Sequence, residues 1–139
     1  MNRSYSAMLA RDRFLSRYRY LRLEGQVAEM TFGHERALNQ RFYTSREWKT
    51  ARDVVIVRDG GRDLGHPDYP ILGPITVHHI NPITPQDLIN GDPRIFDPEN
   101  LICVSHNTHN AIHYGDENLL PKEDVERKPG DTLLWERQW

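Results

Sequence analysis

Five residues of this 139-residue chain have the types and spacing for chemistry on a phosphate ester: His78, His79, Asn100, His109 and His113. His109 and His113 stand four apart, which on a helix puts two imidazoles on one face as a two-point grip on a metal ion. A third ligand must come from elsewhere, and His78 is the candidate. In a strand, the adjacent His78 and His79 point to opposite faces. If His78 joins the metal, His79 is left free to take a proton, and a bend at the strand end lets it line the same cleft. Phosphodiester hydrolysis needs an oriented or deprotonated water, neutralised phosphoryl oxygens and a stabilised leaving oxygen. A histidine titrating near about 6.5 suits the first task. A divalent ion with open coordination positions covers the other two. Asn100 brings no charge; its amide either ties down the loop before it or orients His79.

Each piece alone has an ordinary explanation. A His-His pair, or an H-x-x-x-H on an exposed helix, is usually incidental; their joint occurrence with Asn100 is what points to a site. His106 reads as a helix-start residue and a spare ligand, and His34 and His66 as surface residues. Asp87, Asp92 and Asp97 sit among prolines and glycines, where turn roles compete with ligand roles. Cys103 reads as a small buried apolar group.

The elements that must position these residues follow from periodicity and punctuation. Residues 5–24 read as an amphipathic helix ended by Gly25, and a short helix is expected around 34–42 after Gly33. Thr44 to Glu47 fits a capping box, with Thr44 as N-cap of a helix to about Arg58 that turns Trp48, Ala51, Val54 and Val55 to one side. Residues 59–74 read as a loop. The β-branched run 75–80 is a strand, stopped by Pro82 and Pro85. Residues 81–99 read as a long loop, of the kind that is often functional. Residues 101–104 form a second strand. Ser105 or Asn107 then caps a helix through His113, stopped by Gly115. From Pro121 the tail carries Trp135 and Trp139, expected to anchor it to the body or to a partner.

This arrangement resembles the HNH endonucleases, whose core is the ββα-metal fold. His78-His79-Ile80-Asn81-Pro82 is similar to the family's HH-x-x-P segment, Asn100-Leu101 to its middle asparagine opening the second strand, and residues 109–113 to its H-x-x-x-H helix. Residues 42–48 resemble the helix that precedes the motif in phage members. Residues 109–116 and 128–132 resemble small HNH proteins of tailed phages of Gram-positive bacteria. The likeness spans about 42–132. It implies an α+β fold, with 1–43 as an N-terminal extension of basic helices and 44–139 as the nuclease domain with its tail. It further implies metal ligation by His78, His109 and His113, general-base action by His79 with Asn100 in support, and products with 5′-phosphate and 3′-hydroxyl ends. A terminase partner is implied as well. Many family members hold a structural zinc with two Cys-x-x-Cys pairs. Asp63, His66, Ser105 and Thr108 stand at those positions here and cannot make a thiolate site. Packing alone, by the N-terminal helices and the tryptophan tail, is then expected to hold the scaffold.

Composition sets the remaining bounds. Cys103 is the single cysteine, which excludes an intrachain disulfide and a cysteine-based zinc knuckle. No apolar run reaches the roughly 18 residues of a membrane span, and the N-terminus has no signal-like apolar stretch, so a cytoplasmic protein is expected, in a host cell if phage-encoded. The net charge is −2, but residues 1–58 carry 12 Arg and Lys against 6 Asp and Glu, while 59–139 carry 6 against 14. That split suits a polyanion such as DNA. Arg46, Lys49 and Arg52 share a helix face, either as phosphate contacts or as a solvated surface. The expected activity is a metal-dependent DNA endonuclease or nickase using one divalent ion, Mg²⁺, Mn²⁺, Zn²⁺ or Ni²⁺; three imidazoles favour the borderline ions over Mg²⁺. The rival readings are a non-catalytic metal- and DNA-binding accessory protein of a phage packaging machinery, and a structural protein of that machinery with histidines that merely pack.

Overall fold

The computed structural model describes residues 3–23 and 36–121. Gly25, Gly33, His34, Trp135, Trp139 and the 128–132 segment therefore lie outside the described residues. Among the described residues, six α-helices and two strands follow in chain order: α1 (Tyr5–Leu9), α2 (Phe14–Leu21), α3 (Arg36–Tyr43), α4 (Arg46–Asp59), β1 (Thr76–His79), α5 (Pro85–Asn90), β2 (Leu101–Val104) and α6 (His106–Tyr114). Helix and a small antiparallel sheet are thus combined, with α6 directly after the second strand.

The strands pair antiparallel, with His78 opposite Ile102 and His79 opposite Leu101. Strand parity sorts the core. Ile80, Ile102 and Val104 face one side and join Met8, Phe14, Tyr18, Leu21 and Leu23 of the N-terminal segment and Ala111 and Ile112 of α6. Val77, Leu101 and Cys103 face the other side and join Trp48 and Val55 of α4. All four β2 residues are buried, as a strand covered on both faces must be. The Cys103 thiol is pushed up to about 12, chiefly by burial, and is chemically inert there. The N-terminal helices share the core of the sheet and of α6.

Three expectations are corrected. The single helix over 5–24 is two, because the chain opens between Leu9 and Phe14. Arg13 is extended at the start of α2, and the freed Arg11 carbonyl accepts from Arg17 Nε at 2.7 Å. The break lets Met8 and Phe14 reach the same core. The capping residue of α4 is Ser45, whose hydroxyl accepts from the Trp48 amide; Thr44 is occupied closing α3, donating to the Gln40 carbonyl at 2.9 Å. The long loop 81–99 contains α5, started by a capping box of Thr84 and Asp87 with a proline in the first turn. Asp92 and Asp97 are turn residues, each accepting the amide two positions on.

A two-stranded sheet is marginal by itself, and its outer edge exposes unpaired backbone groups. Side chains close the outer edge of β2. Arg58 Nη2 donates to the Leu101 carbonyl at 2.6 Å, and the Cys103 amide donates to Asp59 Oδ2 at 2.9 Å. The Ser105 amide donates to Asp63 Oδ1 at 3.1 Å. Asp63 also accepts from the Ser105 and Thr108 hydroxyls, at 2.8 and 2.6 Å. The expectation that packing alone holds this region is thus corrected. Three of the four positions that resemble a zinc knuckle form a buried carboxylate–hydroxyl cluster. The fourth, His66, lies elsewhere. Its Nδ1 accepts from the Asp68 amide, which leaves Nε2–H to donate to the Asp12 carbonyl at 2.9 Å.

Replacing Asp63 by alanine strands one amide and two hydroxyls at the base of α6. Urea unfolding of Asp63→Ala should show a loss of about 2–4 kcal/mol, whereas Asp63→Asn, which keeps an acceptor for the amide, should lose less.

Candidate metal centre

β1 ends in the two histidines, and parity sends their rings to different neighbours. His78 lies on the face that α6 crosses. The helix is capped by Ser105 and ended at Gly115, which has a φ of 65°. A Cβ at Gly115 would also lie 2.8 Å from the Leu23 carbonyl oxygen, so glycine is required there twice over. One α6 turn separates His109 from His113, and both present their rings to His78.

Ligand atoms of His78, His109 and His113 lie within 4.8 Å of one another, close enough to hold one metal ion. The His109 and His113 Nε2 atoms are 2.8 Å apart. His78 Nε2 is buried with no hydrogen-bond partner among the described residues. An orphaned buried ring nitrogen costs about 1–3 kcal/mol, so its persistence at the convergence point fits a ligand atom awaiting a cation. Protonation is disfavoured at all three. Burial lowers His78 well below the ordinary value, with the neighbouring imidazoles adding to it. His109 falls to about 4, mainly by burial and then through His113, and His113 is lowered by burial. Neutral imidazoles are what a metal needs.

His79 is held differently. Its ring stacks on Trp48 at a centroid distance of 5.2 Å, near Phe42 at 6.0 Å. Its Nε2 lies 3.0 Å from the Ile95 carbonyl oxygen, which can only accept, so Nε2 carries the proton and Nδ1 keeps the lone pair. Burial lowers His79 to about 4, against the raising effect of that carbonyl. His79 nevertheless lines the same cavity as the three ligands. This cavity of about 210 Å³ is completed by Tyr43, Thr76, Val77, Pro82 and Ile83.

Asn100 is 4% exposed and has no hydrogen bond to His79 among the described residues; of the two roles expected for its amide, it ties down the loop. Its Oδ1 accepts from the Asn81 amide at 2.7 Å and from Asn81 Nδ2 at 2.8 Å, and its Nδ2 donates to the Arg94 carbonyl at 3.1 Å. Asn100 thus fixes the loop whose next residue, Ile95, orients His79. Asn81 in turn grips the backbone of Arg3, accepting from its amide at 2.8 Å and donating to its carbonyl at 2.7 Å. The N-terminal segment is thereby tied to the floor of the site.

Among the expected phosphate contacts, Arg46 and Lys49 are exposed. Arg52 is half-buried, and its Nη2 donates to the Ile75 carbonyl at 3.0 Å, fixing the approach to β1. His106 is exposed and pairs with Asn110. Sequence reasoning missed Tyr43, Asn81 and the Ile95 carbonyl. The aromatic cluster at 42–48 was the available signal for the first; a backbone carbonyl leaves none. Among the described residues, no helix is long and apolar enough to cross a membrane. Comparisons of the chain with protein-family models, curated proteins and solved structures gave no match.

Zinc titration should give one ion per chain, lost in His113→Ala. The ligands' lowered pKa values mean that affinity should stay level from pH 7.5 to about 6 and fall below about pH 5. In the metal-free protein the unfolded histidines bind protons below about 6.5 while the native ones do not, so the melting temperature should drop as pH falls from about 6.5 toward 4. At a hundredfold excess over Kd, zinc should raise native stability at neutral pH by about 2.7 kcal/mol.

Proposed function

We propose that the chain is a metal-dependent endonuclease or nickase that hydrolyses phosphodiester bonds, built on an HNH-type ββα-metal core. The observation that carries this reading is the convergence of His78, His109 and His113 in a cavity that His79 also lines as a neutral, oriented imidazole. A divalent ion held by the three ligands would neutralise charge on the phosphoryl and leaving oxygens. The remaining tasks fall to the chain.

His79 offers a lone pair at Nδ1, and its ring plane is fixed by Trp48 and by the Ile95 carbonyl. It takes the proton of the attacking water, and the same carbonyl stabilises the imidazolium that forms. A free-state pKa of about 4 keeps His79 deprotonated at neutral pH, so its lone pair is available to accept a proton. Asn100 and Asn81 hold the backbone that sets this geometry. The processing or packaging of phage DNA, with terminase as partner, is the setting the sequence resemblance implies.

Nicking of supercoiled plasmid, with Mg²⁺, Mn²⁺, Zn²⁺ or Ni²⁺ and with chelator, tests the reading. His79→Ala should lose roughly 10²- to 10⁴-fold in rate while still binding one metal ion, and chelator should abolish cutting by the wild type. Wild-type rates in His79→Ala overturn the role of His79. Metal and DNA binding without cleavage under every ion favours the accessory-protein reading.

A further inference from the structure

The cavity is chemically unlike its surroundings. Its lining holds four histidines and otherwise Tyr43, Thr76, Val77, Pro82 and Ile83, with no lysine, arginine or carboxylate. His78, His79 and His113 are 3, 7 and 8% exposed, so the reactive groups sit on a floor and not on a ridge. A phosphate entering this cavity meets no side-chain cation in its lining, so side-chain charge that helps to hold the rest of the strand lies outside it.

The basic N-terminal half does not supply that charge evenly, because much of it is spent on the fold. Arg17 Nη1 donates to the Leu64 carbonyl at 2.9 Å, Arg52 to the Ile75 carbonyl, and Arg58 to the Pro98 and Leu101 carbonyls. Arg19 pairs with Glu117. At the α3–α4 corner the pattern changes. Arg46, Glu47 and Lys49 are exposed in the first turn of α4, just after the short turn 44–45, and Tyr43 at the end of α3 lines the cavity wall. Tyr43 is 42% exposed. It meets Phe42 and Trp48 edge to face, at interplanar angles of 70° and 81°, and no ring among the described residues stacks on it.

An exposed aromatic ring followed closely in the chain by cations, at the lip of an uncharged cavity, is a stacking platform with a backbone clamp. Resting on the reading of the site as a phosphodiesterase centre, we infer that it takes an unpaired nucleic-acid strand: a base stacks on Tyr43 while Arg46 and Lys49 hold the phosphates leading into the cavity. Bases in a duplex are stacked on each other, so a base is free to stack on Tyr43 only where it is unpaired. A single strand turns a base and its neighbouring phosphate in different directions.

Anisotropy of labelled 20-mer oligonucleotides, with the full chain and Zn²⁺, tests this inference and does not depend on cleavage. Wild type should bind the single strand at least about tenfold tighter than the matching duplex. Tyr43→Leu, which keeps apolar packing but lacks a ring, should lose about tenfold on the single strand, and Tyr43→Phe should bind like wild type. The double variant Arg46→Ala/Lys49→Ala should flatten the salt dependence of binding. Zinc stoichiometry in each variant reports whether the site is still folded. Equal or tighter duplex binding by wild type overturns the inference, as does wild-type affinity in Tyr43→Leu. Ring-dependent single-strand binding with no cleavage under any ion leaves this inference standing and removes the nuclease reading. Plasmid cutting indifferent to Tyr43 does the reverse. DNA and RNA versions of the oligonucleotide separate the two sources of an unpaired strand.

Discussion

The structure depends on how the outer edge of a four-residue strand is satisfied. β2 has one strand partner, and its other edge would leave the Leu101 carbonyl and the Cys103 and Ser105 amides without backbone partners. Arg58, Asp59 and Asp63 meet those groups in order. They come from the end of α4 and the turn after it, so one short stretch of chain acts as a third strand built of side chains. Asp63 then reaches past the strand to the Thr108 hydroxyl in the first turns of α6. That carboxylate joins the end of β2 to the first turns of α6, the helix that carries His109 and His113 to His78. Burial pushes its pKa up, and the Thr108 and Ser105 donors pull it back, so the carboxylate is worth burying only with all three in place.

A division of labour follows from the period of the strand. His78 belongs to the face shared with α6, and His79 to the face shared with Trp48. One residue of separation gives the two imidazoles different neighbours, and yet both reach one cavity because they lie at the strand's end. Each is kept neutral mainly by burial. What distinguishes them is the hydrogen-bond partner. His79 has a carbonyl that fixes its tautomer, whereas His78 Nε2 has none among the described residues.

Much of this was legible in the sequence because it rests on local rules. The i, i+4 histidines, the β-branched run before His78, the serine cap at 105 and the glycine stop at 115 each act within a few residues, and each appears in the structure. The losses came where distant groups decide. The break after Leu9 serves a core shared with residues 102–112. Thr44 and Ser45 both look like caps, and only the end of α3 settles which one is. Helix α5 was readable from Thr84 and Asp87, but two prolines and a glycine outweighed it. The arginine excess suits a polyanion or a solvated helix face, and several of these arginines are instead held by backbone carbonyls up to 47 residues away. The replacement for a metal knuckle could be excluded as a thiolate site but not foreseen as a hydrogen-bonded cluster, since no spacing rule describes one.

The grip of Asn81 on the backbone of Arg3 joins residues 78 positions apart, and Ser6 meets Glu99 across 93. Leu23 docks on Ile112 by a backbone bond of 2.8 Å. During synthesis the first helices leave the ribosome long before the strands and α6 that receive them. The loop-closure entropy of these contacts is met only when residue 112 has emerged. A growing chain therefore carries its histidines on elements that have no fixed relation to one another. The N-terminal segment can complete its docking only after residues 99–117 have emerged, and the helix it then packs on is the one that carries His109 and His113.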